Sequence, residues 1–142
     1  MICAIHQPNF FPWLGYFHKI ARADVFVFLD SVQYPRTGAG SWLNRVRILV
    51  NGRAQWITAP VRKSGVMSIL DARFDEEQPW RGKIGRSLMH SYGKAPNTRE
   101  LLGQLESMVQ LPVSSVADYN ISNIREIAAR LNLRARLVRQ SE

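Results

Sequence analysis

The residues best suited to chemistry cluster in the first fifty positions. His6, Gln7 and Asn9 stand in the stretch I-H-Q-P-N-F-F-P-W-L-G-Y-F-H-K-I, among two prolines, a glycine and several aromatics. A histidine can move protons or meet a phosphate near neutral pH, and amides can read donor and acceptor edges of a ligand. Asp30 follows a short apolar run and is placed to contact a ribose, an amine or a metal. Gln33, Tyr34 and Arg36 stand in the next loop, where they could close over a ligand. Trp42, Asn44, Arg45 and Arg47 then supply an aromatic, an amide and two guanidinia within six residues. Guanidinium forks match phosphate or carboxylate with two parallel hydrogen bonds.

These residues need elements to hold them. Met1 to Ile5 reads as a short, fully buried strand ended by a polar, proline-containing turn. Cys3, flanked by apolar residues, reads as buried in it. Pro12 is placed to start a helix at Trp13, with Trp13, Leu14, Phe17, Ile20 and Ala21 on its apolar stripe. Val25 to Leu29 is a second continuous apolar strand, and two such strands joined by a helix predict a parallel β-α-β unit. His6 and Asp30 then lie on one edge of the sheet, where α/β proteins hold ligands. Ser31 to Trp42, with Pro35, Gly38 and Gly40, reads as a mobile loop.

Asn51-Gly52 between two β-rich runs predicts a two-residue hairpin turn joining Arg45–Val50 to a strand from Arg53 to Val61. That register puts Arg45, Arg47, Trp56 and Thr58 on one face and Val46, Ile48 and Ile57 on the other. The second half reads as helical. Pro79 opens a helix with Trp80, Ile84, Leu88 and Tyr92 on one stripe, closed by Gly93. Asn97 and Glu100 suggest a capping box for a helix through Gln110, and Ser115 with Asp118 caps another whose stripe is Ala117, Ile121, Ile124, Ala128 and Leu131. Leu133 to Val138 is a candidate last strand. The expected fold is therefore α/β: a β-α-β unit with parallel strands, a β-hairpin and a helical second half, all in a single domain over residues 1–142, with 1–61 and 62–142 as its two parts.

Composition narrows the function. Nineteen basic residues against eleven acidic give a net charge of +8, which favours an anionic partner such as a nucleotide, a nucleotide-sugar or nucleic acid. One cysteine allows no internal disulfide, the short apolar start is too small for a signal peptide, and no apolar run is long enough to span a bilayer. A cytoplasmic protein is expected. The histidines His6, His18 and His90 are scattered, so no metal site and no cofactor are expected. There is no phosphate-binding G-x-x-x-x-G-K-[ST] loop, no G-x-G-x-x-G and no G-x-S-x-G elbow.

The stretch from Ile5 to Tyr34, then S-W-L-N-R-V-R-I and N-G-R-A-Q-W-I-T-A-P-V, with P-W near residue 80 and S-Y-G-K-A-P at 91–96, resembles the WbqC-like family. That bacterial family is often encoded with genes for O-antigen and other surface polysaccharides. The resemblance implies a transferase of lipopolysaccharide or related glycan biosynthesis, acting on an activated sugar or on an acyl or aminoacyl donor. Carried over by position, the family's signature is His6, Gln7, Pro8, Pro12, Gly15, Tyr16, Asp30, Gln33, Asn44 and Arg45. Family members generally continue past the point where this chain stops, so a site needing that part would be incomplete here. The strand, loop, helix and Asp-ended strand also resemble the nucleotidyltransferase-like branch of HUP-type folds. Its H-x-G-H motif is absent from Pro12-Trp13-Leu14-Gly15-Tyr16.

The leading expectation is a transferase with His6 as general base or phosphate contact. Gln7, Asn9, Gly15, Tyr16, Asp30, Gln33 and Trp42 would position substrate, and Asn44, Arg45 and Arg47 would hold its anionic part. The partner would be a small anionic molecule, a nucleotide-sugar or an activated acyl donor. The alternative is a non-catalytic module binding a nucleotide-sugar or RNA through the same basic face.

Overall fold

The computed structural model of the chain describes residues 1–35, 42–62 and 65–142. Arg36, Gly38 and Gly40 of the expected loop lie outside them. The elements run in the order β1 (Cys3–His6), α1 (Leu14–Ala21), β2 (Val25–Phe28), β3 (Arg45–Val50), β4 (Arg53–Thr58), α2 (Trp80–Tyr92), α3 (Thr98–Val109), α4 (Val116–Arg130) and β5 (Arg136–Arg139).

β1 and β2 pair in parallel, with Cys3 opposite Val25 and His6 opposite Phe28. The α1 crossover between them is the expected β-α-β unit. β5 adds in parallel to the other edge of β2, Val25 facing Arg136 and Phe28 facing Arg139. The sheet order is β1-β2-β5. Phe26 and Phe28 point to one face, where Tyr16, Phe17 and Ile20 of α1 meet Ile121 and Ile124 of α4. Each fully buried phenyl there contributes on the order of 2 kcal/mol through apolar burial.

The structure corrects three expectations about this layer. β1 is an edge strand whose burial alternates, and Cys3 is exposed. The continuous apolar run predicted cover on both faces. Yet α1 and α4 both pack on the Phe26–Phe28 face, leaving Ile5 51% exposed on the opposite one. In α1 the buried positions are Tyr16, Phe17 and Ile20, while Trp13 and Leu14 face solvent. Trp13 is an extended N-cap rather than the first helical residue, which swings its side chain off the stripe.

The hairpin has the expected register, Val50 opposite Arg53, Arg47 opposite Trp56 and Arg45 opposite Thr58. Asn51 and Gly52 take φ of 52° and 74°, the left-handed pair that a two-residue turn requires. β4 ends at Thr58 rather than Val61: the Ala59 N–H still makes the in-register bond to the Asn44 carbonyl at 2.7 Å, but Pro60 follows and has no N–H to give. The inner hairpin face, where Ile48 is buried, packs Val46 and Ile57 on a second core built from Phe10, Leu43, Phe74, Trp80, Ile84, Val116 and Tyr119.

Ser115 caps α4, its hydroxyl oxygen accepting from the Asp118 N–H at 3.2 Å. The Asn97–Glu100 box does not form. Asn97 sits at φ 60° and its side chain caps nothing; Thr98 instead donates to the Tyr92 carbonyl at 2.9 Å and to that of Ala95. Leu131 lies just past α4 as its C-cap and is exposed. Among the described residues, no helix is long and apolar enough to cross a membrane.

Candidate functional site

His6 ends β1 on the face that packs against α1. Its Nδ1 lies 3.0 Å from the Gln7 carbonyl oxygen. A carbonyl only accepts, so Nδ1 must carry the proton and Nε2 is left with a lone pair. The ring meets Tyr16 edge-on at 4.9 Å and Trp13 at 6.1 Å. Burial holds the imidazole below its ordinary 6.5, and the Lys19 ammonium pushes the same way against the opposing hydrogen bond to Gln7. The neutral form of His6 is therefore favoured at pH 7, with Nε2 as the nitrogen able to take a proton. Lys19, on α1, donates to the Ile5 carbonyl at 3.3 Å and covers the outer edge of β1.

From His6 a run of aromatic rings crosses to the hairpin. Trp13 lies 5.6 Å from Trp42, and Trp42 lies 5.1 Å from Trp56, both pairs tilted. The Arg45 guanidinium stacks 4.5 Å above the Trp56 ring, and that of Arg47 lies 5.8 Å from it. Trp13 and Trp56 remain 49% and 43% exposed, so water reaches both ends of the run. Gly15 makes room for this arrangement, since a Cβ there would lie 2.7 Å from the Trp13 indole nitrogen.

The scaffold beneath is held by buried polar groups. Asn120, 1% exposed in the middle of α4, donates through Nδ2 to the carbonyls of Pro8 and Leu43, each at 2.8 Å. One side chain thus ties the loop after β1 to the segment entering β3. The Phe10 N–H adds a third tie, donating to the Trp42 carbonyl at 2.7 Å. Between these ties Phe11 is held at φ 42°, unusual for a bulky residue and doubly so before proline. Edge contacts with Phe10 at 4.9 Å and Tyr119 at 6.5 Å keep it there.

The structure brings His6, Trp42, Arg45 and Arg47 into one run, and places the other expected site residues around it or apart. Gln7 supplies its carbonyl to His6 and also to the Tyr16 hydroxyl, which donates at 3.0 Å. Tyr16 is 1% exposed, and burial keeps its phenol well above the ordinary range. Asn9 is buried. Asn44 donates to the Ala59 carbonyl at 2.9 Å and shapes the end of the hairpin. Gln33 is exposed and forms a bridge with Ser68.

Asp30 shares the sheet's carboxyl edge with His6 but is fully buried. It accepts from Arg139 Nε at 2.7 Å and from the Ser141 hydroxyl and N–H at 2.7 and 3.1 Å. Burial alone would raise its carboxyl; the bonds from Ser141 and Arg139 outweigh that and hold it below the ordinary range. Arg139 also pairs with Asp118 at 2.7 Å.

Sequence reasoning overlooked Trp13 as a site wall, Lys19 as a neighbour of His6, and Asn120 altogether. Asn120 did leave a signal. It falls three residues after Ala117 and four before Ile124, on the apolar stripe of α4, where a polar side chain must find partners. No cluster of three or more metal-ligating side chains occurs among the described residues.

The chain is 36% identical over 100 residues to the uncharacterized protein Rv1507c of Mycobacterium tuberculosis, a match covering 69% of this chain and 42% of that protein. The chain thus spans less than half the length of that relative. No solved structure matches it. The model of the WbqC-like protein family matches residues 7–142, from Gln7 beside the candidate base to the final residue. The chain belongs to the WbqC-like protein family.

Proposed function

We propose that the protein is a transferase of surface-glycan biosynthesis, the O-antigen type included, which moves a sugar or an acyl or aminoacyl group from an activated donor to an acceptor. One observation carries this reading: the neutral form of His6 is favoured, and its Nδ1–H is fixed on the Gln7 carbonyl, leaving Nε2 free as a base. The acceptor's hydroxyl or amine attacks the activated carbon of the donor. Its proton passes to His6 Nε2, and the bond to the leaving group breaks with the electron pair going to the leaving group. Protonated His6 then returns the proton to that group or to water. Arg45 and Arg47 stand where an anionic leaving group needs charge, and Trp13 and Trp42 wall the path between. Tyr16 and Asn44 hold the walls in place through the Gln7 and Ala59 carbonyls, and Gly15 clears space for the Trp13 indole. The resemblance to a family encoded with polysaccharide genes supports the substrate class.

A second reading has its own support. The ring-and-guanidinium run could hold a nucleotide-sugar or RNA without any turnover. Purified protein incubated with nucleotide-sugars or acyl donors and amino-sugar acceptors, with products detected by mass spectrometry, separates the two. His6→Ala should keep donor binding and lose roughly 10²–10⁴-fold in rate, the usual contribution of a general base. Unchanged turnover in His6→Ala removes the catalytic assignment. Binding without product for any donor leaves the binding module.

A further inference from the structure

The donor class can be narrowed from the run of rings, given the transferase reading above. Trp13, Trp42 and Trp56 form a continuous path 5.1–5.6 Å from ring to ring, with both end rings about half-exposed. Large indoles left open to water are costly unless something covers them. The fourth tryptophan, Trp80, behaves conventionally, being 2% exposed and packed in the second core.

The chemistry at the far end is mixed in a telling way. Arg45 and Arg47 both approach the same indole, one stacked at 4.5 Å. Arg45 spends the plane of its guanidinium on the ring, and the exposed Arg47 holds cationic donors beside it. The surface therefore offers flat aromatic area and the cationic donors of Arg47 side by side. A bare sugar uses the first and not the second; an inorganic anion uses the second and not the first. A nucleoside diphosphate uses both, its base stacking on indole and its phosphates accepting from guanidinium. The net charge of +8 adds long-range attraction for such a ligand.

We infer that the Trp13–Trp42–Trp56 run with Arg45 and Arg47 is the binding surface for the nucleoside diphosphate part of an activated donor, its base on the Trp42–Trp56 end and its transferred group directed toward His6. Two kinds of donor carry that part, a nucleotide-sugar and a coenzyme A thioester. They share this chemistry and differ in the group attached beyond the diphosphate.

Tryptophan fluorescence reads the binding directly, because three of the four indoles lie on the surface in question. UDP, GDP, ADP, coenzyme A, uridine and inorganic pyrophosphate are titrated separately. At least one nucleoside diphosphate should bind tenfold or more tightly than both uridine and pyrophosphate. Preference for UDP or GDP points to a nucleotide-sugar, and preference for ADP and coenzyme A to a thioester. Trp56→Leu, at an exposed position, should weaken that nucleotide at least tenfold and leave pyrophosphate unchanged. Arg47→Gln should weaken both, while Trp56→Tyr should restore most of the nucleotide affinity.

Pyrophosphate binding as tightly as every nucleotide overturns the inference, as does an unchanged nucleotide affinity in Trp56→Leu. So does binding confined to single-stranded RNA with a steep salt dependence, the mark of many phosphate contacts. These failures differ from failure of the transferase reading. Nucleotide binding with no effect of His6→Ala on turnover spares the donor surface and removes the base; turnover with an acyl donor lacking any nucleotide does the reverse.

Discussion

Asn120→Ala gives the sharpest test of how the two walls of the site are held. The side chain is buried, and its amide nitrogen donates at 2.8 Å to two carbonyls that come from opposite sides of the site, Pro8 and Leu43. Truncation orphans both acceptors in a dry interior. A buried acceptor left unpaired costs ~1–3 kcal/mol, so the pair costs roughly 4. Some of this returns, because Asn120 Oδ1 is itself buried without a partner and leaves with the side chain, relieving on the order of 1 kcal/mol. The net loss is about 3 kcal/mol, a large part of the ~5–15 kcal/mol that a domain has, and it should lower Tm by roughly 10 °C. Urea denaturation monitored by circular dichroism measures it. Asn123→Ala is the control, since Asn123 is also buried but its amide nitrogen makes one long bond, 3.4 Å to the Met108 carbonyl, beside a hydrogen bond with Tyr119; about 1–2 kcal/mol is expected there. If Asn120→Ala costs no more than Asn123→Ala, the carbonyls find other donors and the clamp has no energetic meaning.

Two titratable groups make the protein's behaviour depend on pH. Asp30 is held below its ordinary 3.8, so its contribution is present above that pH and disappears as pH falls through the folded value. Asp30→Asn should lose about 3 kcal/mol at pH 7 by leaving Arg139 short of its partner, and the gap to wild type should shrink as the pH of urea titrations is lowered below 4. An equal gap at pH 7 and pH 3 would refute this. His6 is likewise depressed, so the neutral ring favours folding above 6.5 and the advantage fades as pH falls through its folded value. The His6 ring signals in an NMR titration should have their midpoint below 6.5, and a midpoint above it would remove the neutral base from the proposal.

How much of the structure is legible in the sequence depends on the range of the interactions. The hairpin is legible residue by residue, because Asn51-Gly52 leaves one turn geometry and the turn sets every cross-strand pair. The Ser115 cap and the β-α-β unit are legible for the same reason, their determinants lying within a few residues. Asp30 looks like a ligand contact in the sequence because its partners, Arg139 and Ser141, lie 109 and 111 positions away. Cys3 looks buried because an apolar strand reads the same whether helices cover one face or both. The meeting of Trp13 with Trp42 depends on the buried reach of Asn120 and on an unusual Phe11 backbone, neither of which a local pattern encodes.

The pairing of β5 with β2 has a consequence for the order of events during synthesis. The third strand of the sheet is made from residues 136–139, and it joins a strand completed more than a hundred residues earlier. Until it emerges from the ribosome, β2 has a bare edge, and Asp30 lacks both the guanidinium and the hydroxyl that later satisfy it. The nascent chain can form the hairpin and its helices as they appear, but the carboxyl edge carrying His6 has to wait. Closing so long a loop is slow compared with local helix formation. A ribosome-stalled chain in which residues 133–142 have not yet emerged should therefore show protease-resistant hairpin fragments beside a cleavable amino terminus, and a chain extended until they emerge should protect both together.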